Sequence, residues 1–135
     1  MSRPLNTGPT SLKTAPKRYT ASRIEALQIT QHATADTTRK ALTPIAKNTS
    51  TGLYAVYENA GANDIDKIIG FSAPDDWIQL NGSTVITSVM VAGEVEYADI
   101  EKLGVLDATF KADLLASGLD KRGIYVKGVD GFYTP

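Results

Sequence analysis

The 135-residue chain contains no cysteine. That excludes a disulfide framework, a cysteine-ligated zinc centre and thiol-based nucleophilic catalysis. One histidine, His32, leaves no means of building a multi-histidine metal site within a single chain. Aromatic rings are scarce at the front: Tyr19 is the only one before Tyr54, so an aromatic platform for stacking bases is missing there. No apolar run approaches the roughly 18 residues of a membrane-spanning helix, and no membrane partner is expected. The positively charged N-terminus is not followed by an apolar stretch, so it does not read as a secretory leader. Acidic residues are absent before Glu25.

What is present is unevenly spread. The formal net charge is −1. Residues 1–47 nevertheless carry eight basic side chains against two acidic ones, and residues 48–135 carry six against thirteen. A basic front on an acidic body suggests a partner for the front. Large apolar residues divide the same way: seven lie in residues 1–41 and thirty-four in residues 42–135, so only the second segment can build a core. Eleven of the fifteen threonines lie at or before Thr51, and Pro4, Pro9 and Pro16 favour extended geometry ahead of them. The division expected is an extended, basic, Thr/Pro-rich arm over residues 1–40 and a compact β-rich domain over residues 41–135.

Within the arm, Ser22–Ile29 is ambiguous. Ser22 and Glu25 have capping-box spacing and Ile24 and Leu27 have helical spacing, whereas Leu27 and Ile29 fit one face of a strand. A short helical turn is the reading preferred. In the body, Leu42–Ile45 reads as a strand that Pro44 places at a sheet edge. Leu53–Tyr57, Lys67–Ala73 and Thr84–Val91 follow as strands, with Trp77–Leu80 a short strand or loop. Gly70 suggests a bulge or a close backbone approach. Ala92-Gly93 is expected to turn the chain into a returning strand at Glu94–Tyr97. Asp107 caps a helix to about Ala116, with Phe110, Leu114 and Leu115 on one face, and Ile124–Val126 is a last strand. The fold class is therefore mainly β with one C-terminal helix (α+β), in a small barrel or folded sheet.

Chemistry-bearing residues give weak signals. His32 lies in a polar stretch and reads as a solvated loop residue rather than a general base. Asp64, Asp66, Asp75 and Asp76 lack the glycine and glutamate positions of a calcium loop and read as turn residues or as residues at helix or strand termini. Glu94, Glu96, Asp99 and Glu101 form an acidic cluster, with Glu94 and Glu96 on one outward strand face; a solvated face is preferred to a carboxylate pair. Gly70–Pro74 breaks the nucleophile-elbow pattern at Pro74. The aromatics Tyr54, Tyr57, Phe71, Trp77 and Tyr97 read as core or subunit-interface residues. No catalytic residue, cofactor or metal site is expected, and the chain is not read as an enzyme.

The order of motifs in the body resembles the head decoration proteins of lambda-type tailed bacteriophages. The residues carrying the resemblance are Leu42-Thr-Pro-Ile45 with the strand after it, Ile69-Gly-Phe71, Val89-Met-Val-Ala-Gly-Glu-Val95 with Ala98 to Ile100, and the late helix followed by Gly123-Ile-Tyr-Val126. The likeness covers roughly residues 41–127; the arm of about 40 residues is longer than the pattern. It implies a β-tulip-like decoration-protein body that assembles as a homotrimer on the outer surface of the virion capsid after synthesis in the host cytoplasm. It also implies that the major capsid protein is the partner and that the N-terminal segment docks on it. On that basis Leu5, Leu12, Tyr19 and Ile24 are the expected apolar anchors of the arm. Lys13, Lys17, Arg18 and Arg23 are its expected complements to an acidic shell. Thr43 and Pro44 complete the expected docking set at the start of the first body strand. Nucleic acid is disfavoured as a partner. A small β-barrel binding module, for single-stranded nucleic acid or another virion protein, is the alternative.

Overall fold

The structure is a computed structural model that describes residues 19–100 and 108–129. Among the described residues, eight strands run β1 Tyr19–Ile29, β2 Thr37–Arg39, β3 Pro44–Lys47, β4 Tyr54–Val56, β5 Ile68–Ser72, β6 Trp77–Gln79, β7 Val85–Glu96 and β8 Ile124–Lys127, with one α-helix, α1, at Ala108–Ala116. Short 3-10 turns follow β7 at Tyr97–Asp99 and precede β8 at Leu119–Arg122. The expected class, mainly β with a late helix, is what is found.

The main sheet closes on itself. Its order is β1-β4-β3-β5-β7-β8, and β7 also pairs with β1. Going round the ring, β7 pairs antiparallel with β1 along its length, from Tyr19↔Val95 to Ile29↔Val85. At its far end β1 meets β4 in parallel at Ile29↔Tyr54, where the Thr30 amide donates to the Tyr54 carbonyl at 2.8 Å. Antiparallel pairings β4–β3, β3–β5 and β5–β7 complete a five-stranded barrel. β8 lies outside the ring, parallel to the last four residues of β7. A two-stranded ribbon, β2–β6, pairs Thr37↔Gln79 through Arg39↔Trp77.

Four expectations are corrected. Ser22–Ile29 is not a helical turn but most of β1. Alternate residues face the barrel, and pairing with a strand about 60 positions away outweighs a local capping pattern. The strand at Pro44 is interior, between β4 and β5; proline is accommodated because it is the strand's first residue, while its carbonyl still accepts from the Tyr57 amide at 3.0 Å. Ala92-Gly93 does not reverse the chain, since β7 runs unbroken from Val85 to Glu96. Gly93 instead has φ 143°, and a Cβ there would strike the Thr20 carbonyl oxygen and the Ala21 Cα of β1. Leu115 is 40% exposed and does not share the buried face of Phe110 and Leu114. Asp107, the expected cap, lies outside the described residues, as does Glu101.

Two apolar cores result. The inner one fills the barrel with Leu27, Ile29, Ile45 and Val89, flanked by Val56, Ile69, Val85 and Val91. The outer one lies between the outside of β5, β7 and β8 and the layer formed by α1 and the following turn, and includes Ile68, Phe71, Met90, Phe110, Leu114 and Ile124. A bulge in β5 serves both. Ile45 pairs with Gly70 and Ala46 with Ile68, leaving Ile69 as the extra residue directed to the inner core. Gly70 fits only as glycine: a Cβ would lie 2.6 Å from the Met90 carbonyl oxygen and 2.8 Å from Val89 Cγ1. The close approach expected there is present. On the outer layer Tyr57 donates to Asp113 at 2.6 Å, and the Ser117 hydroxyl accepts from the Ile68 amide at 2.9 Å, which ties α1 to β5.

Candidate functional site

One end of the barrel is an open hollow of about 510 Å³. Its placement follows from the strand alternation of two. On β1, Arg23, Glu25 and Leu27 continue the inward row that ends at Ile29; on β3, Lys47 follows Ile45 at the same spacing. Leu27, Tyr54, Ile69 and Val91 form the apolar floor, and the fully buried Ile29, Ile45 and Val89 close the barrel beneath it. Thr49, Asp64 and Lys67 come from the loops beside β3 and β5, and Arg122 from the turn before β8.

The rim is charged. Arg23 pairs with Glu25 at 3.2 Å and Lys67 with Asp64 at 3.1 Å. Asp64 also accepts from the Thr49 hydroxyl at 2.9 Å; this bond first, and then Lys67, holds its carboxyl below the usual carboxylate range. Lys47 stands 5.6 Å from the centroid of the Tyr54 ring, a cation–π contact. Among the described residues no carboxylate lies within ion-pair distance of Lys47 or Arg122. The hollow therefore has a cationic surplus over an apolar floor.

A second hollow, about 540 Å³, opens where the β2–β6 ribbon meets β3 and β4. Three of its polar residues, Thr30, Arg39 and Gln79, bond to one another. Buried Gln79 accepts from Arg39 at 2.9 and 3.1 Å and donates to the Thr30 carbonyl at 2.8 Å. His32 is a loop residue, half-buried rather than fully solvated: its Nδ1 accepts from the Thr34 amide at 3.2 Å and the Ala35 amide at 3.4 Å. Asp76, directly before β6, accepts from the Ala41 amide at 2.8 Å, a contact across 35 positions. Among the described residues no group of three or more metal-ligating side chains is gathered, and no helix is long and apolar enough to cross a membrane.

The residues expected to dock are distributed as follows. Leu5, Leu12, Lys13, Lys17 and Arg18 lie outside the described residues. Tyr19 packs against the outer core, and burial, with the nearby charge of Asp75, raises its phenol above the usual value. Arg23 stands at the barrel mouth, and Ile24, 43% exposed, points out from β1. Thr43 and Pro44 are buried in the single chain; the Thr43 amide donates to Ser72 Oγ at 3.0 Å. Ile24 has a companion that the sequence reading did not single out. Across the β1–β7 pairing, Ile24, Ala26 and Gln28 share the outer face with Ile86 and Ser88, and Ile86 is 70% exposed. This stripe carries no charged side chain. The acidic pair behaves as expected at Glu94, which is on the surface and bonded to Lys127 at 3.0 Å, raising that lysine's pKa.

Comparison with protein-family models and with curated proteins finds no match to this chain.

Proposed function

We propose that the chain is a non-enzymatic capsid decoration protein of a tailed phage. It binds the outside of the expanded head as a homotrimer and cements the shell, with its N-terminal residues docking on the major capsid protein. The observation that carries this reading is the order of motifs from Leu42-Thr-Pro-Ile45 to Gly123-Ile-Tyr-Val126, which resembles that family. A small closed β body with a single late helix is compatible with it. The acid-free segment before Glu25 suits an acidic protein surface. The charge-free stripe around Ile24 and Ile86 has the composition of an interface core, where charged residues are depleted.

The test is co-sedimentation with expanded, undecorated shells of the parent phage, comparing the full chain with one beginning at Tyr19. The cut falls there because later residues are staves of the barrel. Saturable binding by the full chain that weakens on truncation is the expected result, and it should weaken with added salt. Absence of binding by either folded chain would sink the reading. The second reading, a small barrel binding module, draws on the cationic mouth; salt-sensitive binding of oligonucleotides would favour it.

A further inference from the structure

We infer that the open mouth of the barrel is a binding site for an acidic peptide segment carrying an apolar side chain. The inference stands on the mouth alone and does not depend on the capsid reading.

Its size, about 510 Å³, falls in the range of about 300–1,000 Å³ occupied by ligand sites, and barrel mouths are a recurrent location for them. The floor asks for an apolar group. Leu27, Ile69 and Val91 complete the inner core from the open side, and a side chain seated on them would take their remaining surface out of water. The rim asks for negative charge. Four cations, Arg23, Lys47, Lys67 and Arg122, face two carboxylates, Glu25 and Asp64. Two cations are engaged by those carboxylates, leaving Lys47 and Arg122 as the surplus. Two of the four cations, Lys67 and Arg122, come from residues 48–135, which carry six basic side chains against thirteen acidic ones, so on that side the surplus departs from the segment's average.

The same details favour peptide over nucleic acid. Among the described residues the one aromatic ring in the mouth, Tyr54, is accompanied by Lys47 and offers no free platform for successive bases. Glu25 and Asp64 would oppose a continuous phosphate backbone, whereas a carboxylate at one or two fixed points can meet Lys47 and Arg122 and avoid them. The inner core is filled below the floor, so the site accepts a side chain and not a long hydrocarbon.

The experiment is a heteronuclear NMR titration of the full chain with three probes: blocked Asp-Phe-Glu tripeptide, blocked Lys-Phe-Lys tripeptide and an eight-nucleotide oligothymidylate. The expected result is saturable shifts from the acidic peptide, concentrated at Leu27, Lys47, Tyr54, Ile69, Val91 and Arg122. The Lys-Phe-Lys peptide should leave those residues in place. A Lys47→Ala/Arg122→Ala variant with an otherwise unchanged spectrum should bind the acidic peptide about tenfold more weakly, the loss of about 1.4 kcal/mol. No shifts at millimolar acidic peptide would overturn the inference. So would equal response to the basic peptide, tighter binding of the oligothymidylate, or shifts spread over the surface away from the mouth.

Discussion

The inner and outer cores of this protein are built from neighbouring faces of the same strands, yet they are closed in different ways. The outer core is roofed by α1 and its following turn, and it holds the ring pairs Tyr57–Phe110 at 5.5 Å and Tyr97–Phe110 at 6.1 Å. The inner core is almost entirely aliphatic at its centre. It exists only because β1 closes the ring, and at one end it opens into a charged hollow. The contrast separates tasks. The outer layer fixes the body, with the rings of Tyr57, Phe71 and Phe110 sealed from water beneath a helix whose other face is exposed. The inner layer is a stave-built cup with a charged rim.

The largest expected effect lies in the outer core. Phe71→Ala removes a fully buried ring from β5 and should cost about 3–5 kcal/mol in chemical denaturation. A loss below about 1 kcal/mol would mean that the outer layer is not the main support of the fold. Next comes the β1–β7 seam that closes the ring. Gly93→Ala places a methyl group against Thr20 and Ala21 of β1 at a φ that suits glycine, and should destabilise by about 1–3 kcal/mol. Its effect should fall on β1 before α1, readable as an earlier loss of β1 signals in urea. Simultaneous loss of both would erase the distinction between the cores. The smallest effect is at the rim. The carboxyl of Asp64 is held below its usual range by Thr49 and Lys67. A depressed carboxylate stabilises above its unfolded-state pKa, and that contribution is lost as pH falls through the folded-state value. Asp64→Asn should therefore slightly flatten the acid limb of the stability profile and leave the neutral-pH fold intact. The site is exposed, so a large change would indicate a structural role the geometry does not give it.

Much of this architecture was legible because its signals are local. β4, β5 and β8 are short strands rich in apolar residues, and α1 has its apolar spacing at Phe110 and Leu114. β1 was obscured by its own composition: from Ser22 to Ala26 every residue is exposed, and Ser22 and Glu25 imitate a helix start. Its partner on β7 lies far along the chain, beyond the reach of any local pattern. Gly93 looked like a turn because a glycine needed for close approach and one needed for reversal read alike. The mouth was invisible for the same reason as β1. Arg23, Lys47, Lys67 and Arg122 span about a hundred positions of sequence and converge only when the ring closes. Arg23 was singled out as a docking charge for the arm, but its neighbours at the rim carried no such signal.

Closure of the barrel by β1 is the claim on which both the inner core and the mouth rest, and native-state hydrogen exchange of the isolated chain tests it most directly. Among Ile24–Ile29, the amides that bond to β7, every second one along the strand, should show protection of the same order as their partners in Val85–Met90, with no partner protein present. Exchange of the Ile24–Ile29 amides at the rate of an unstructured chain, with the β5–β7 pairing still protected, would contradict it.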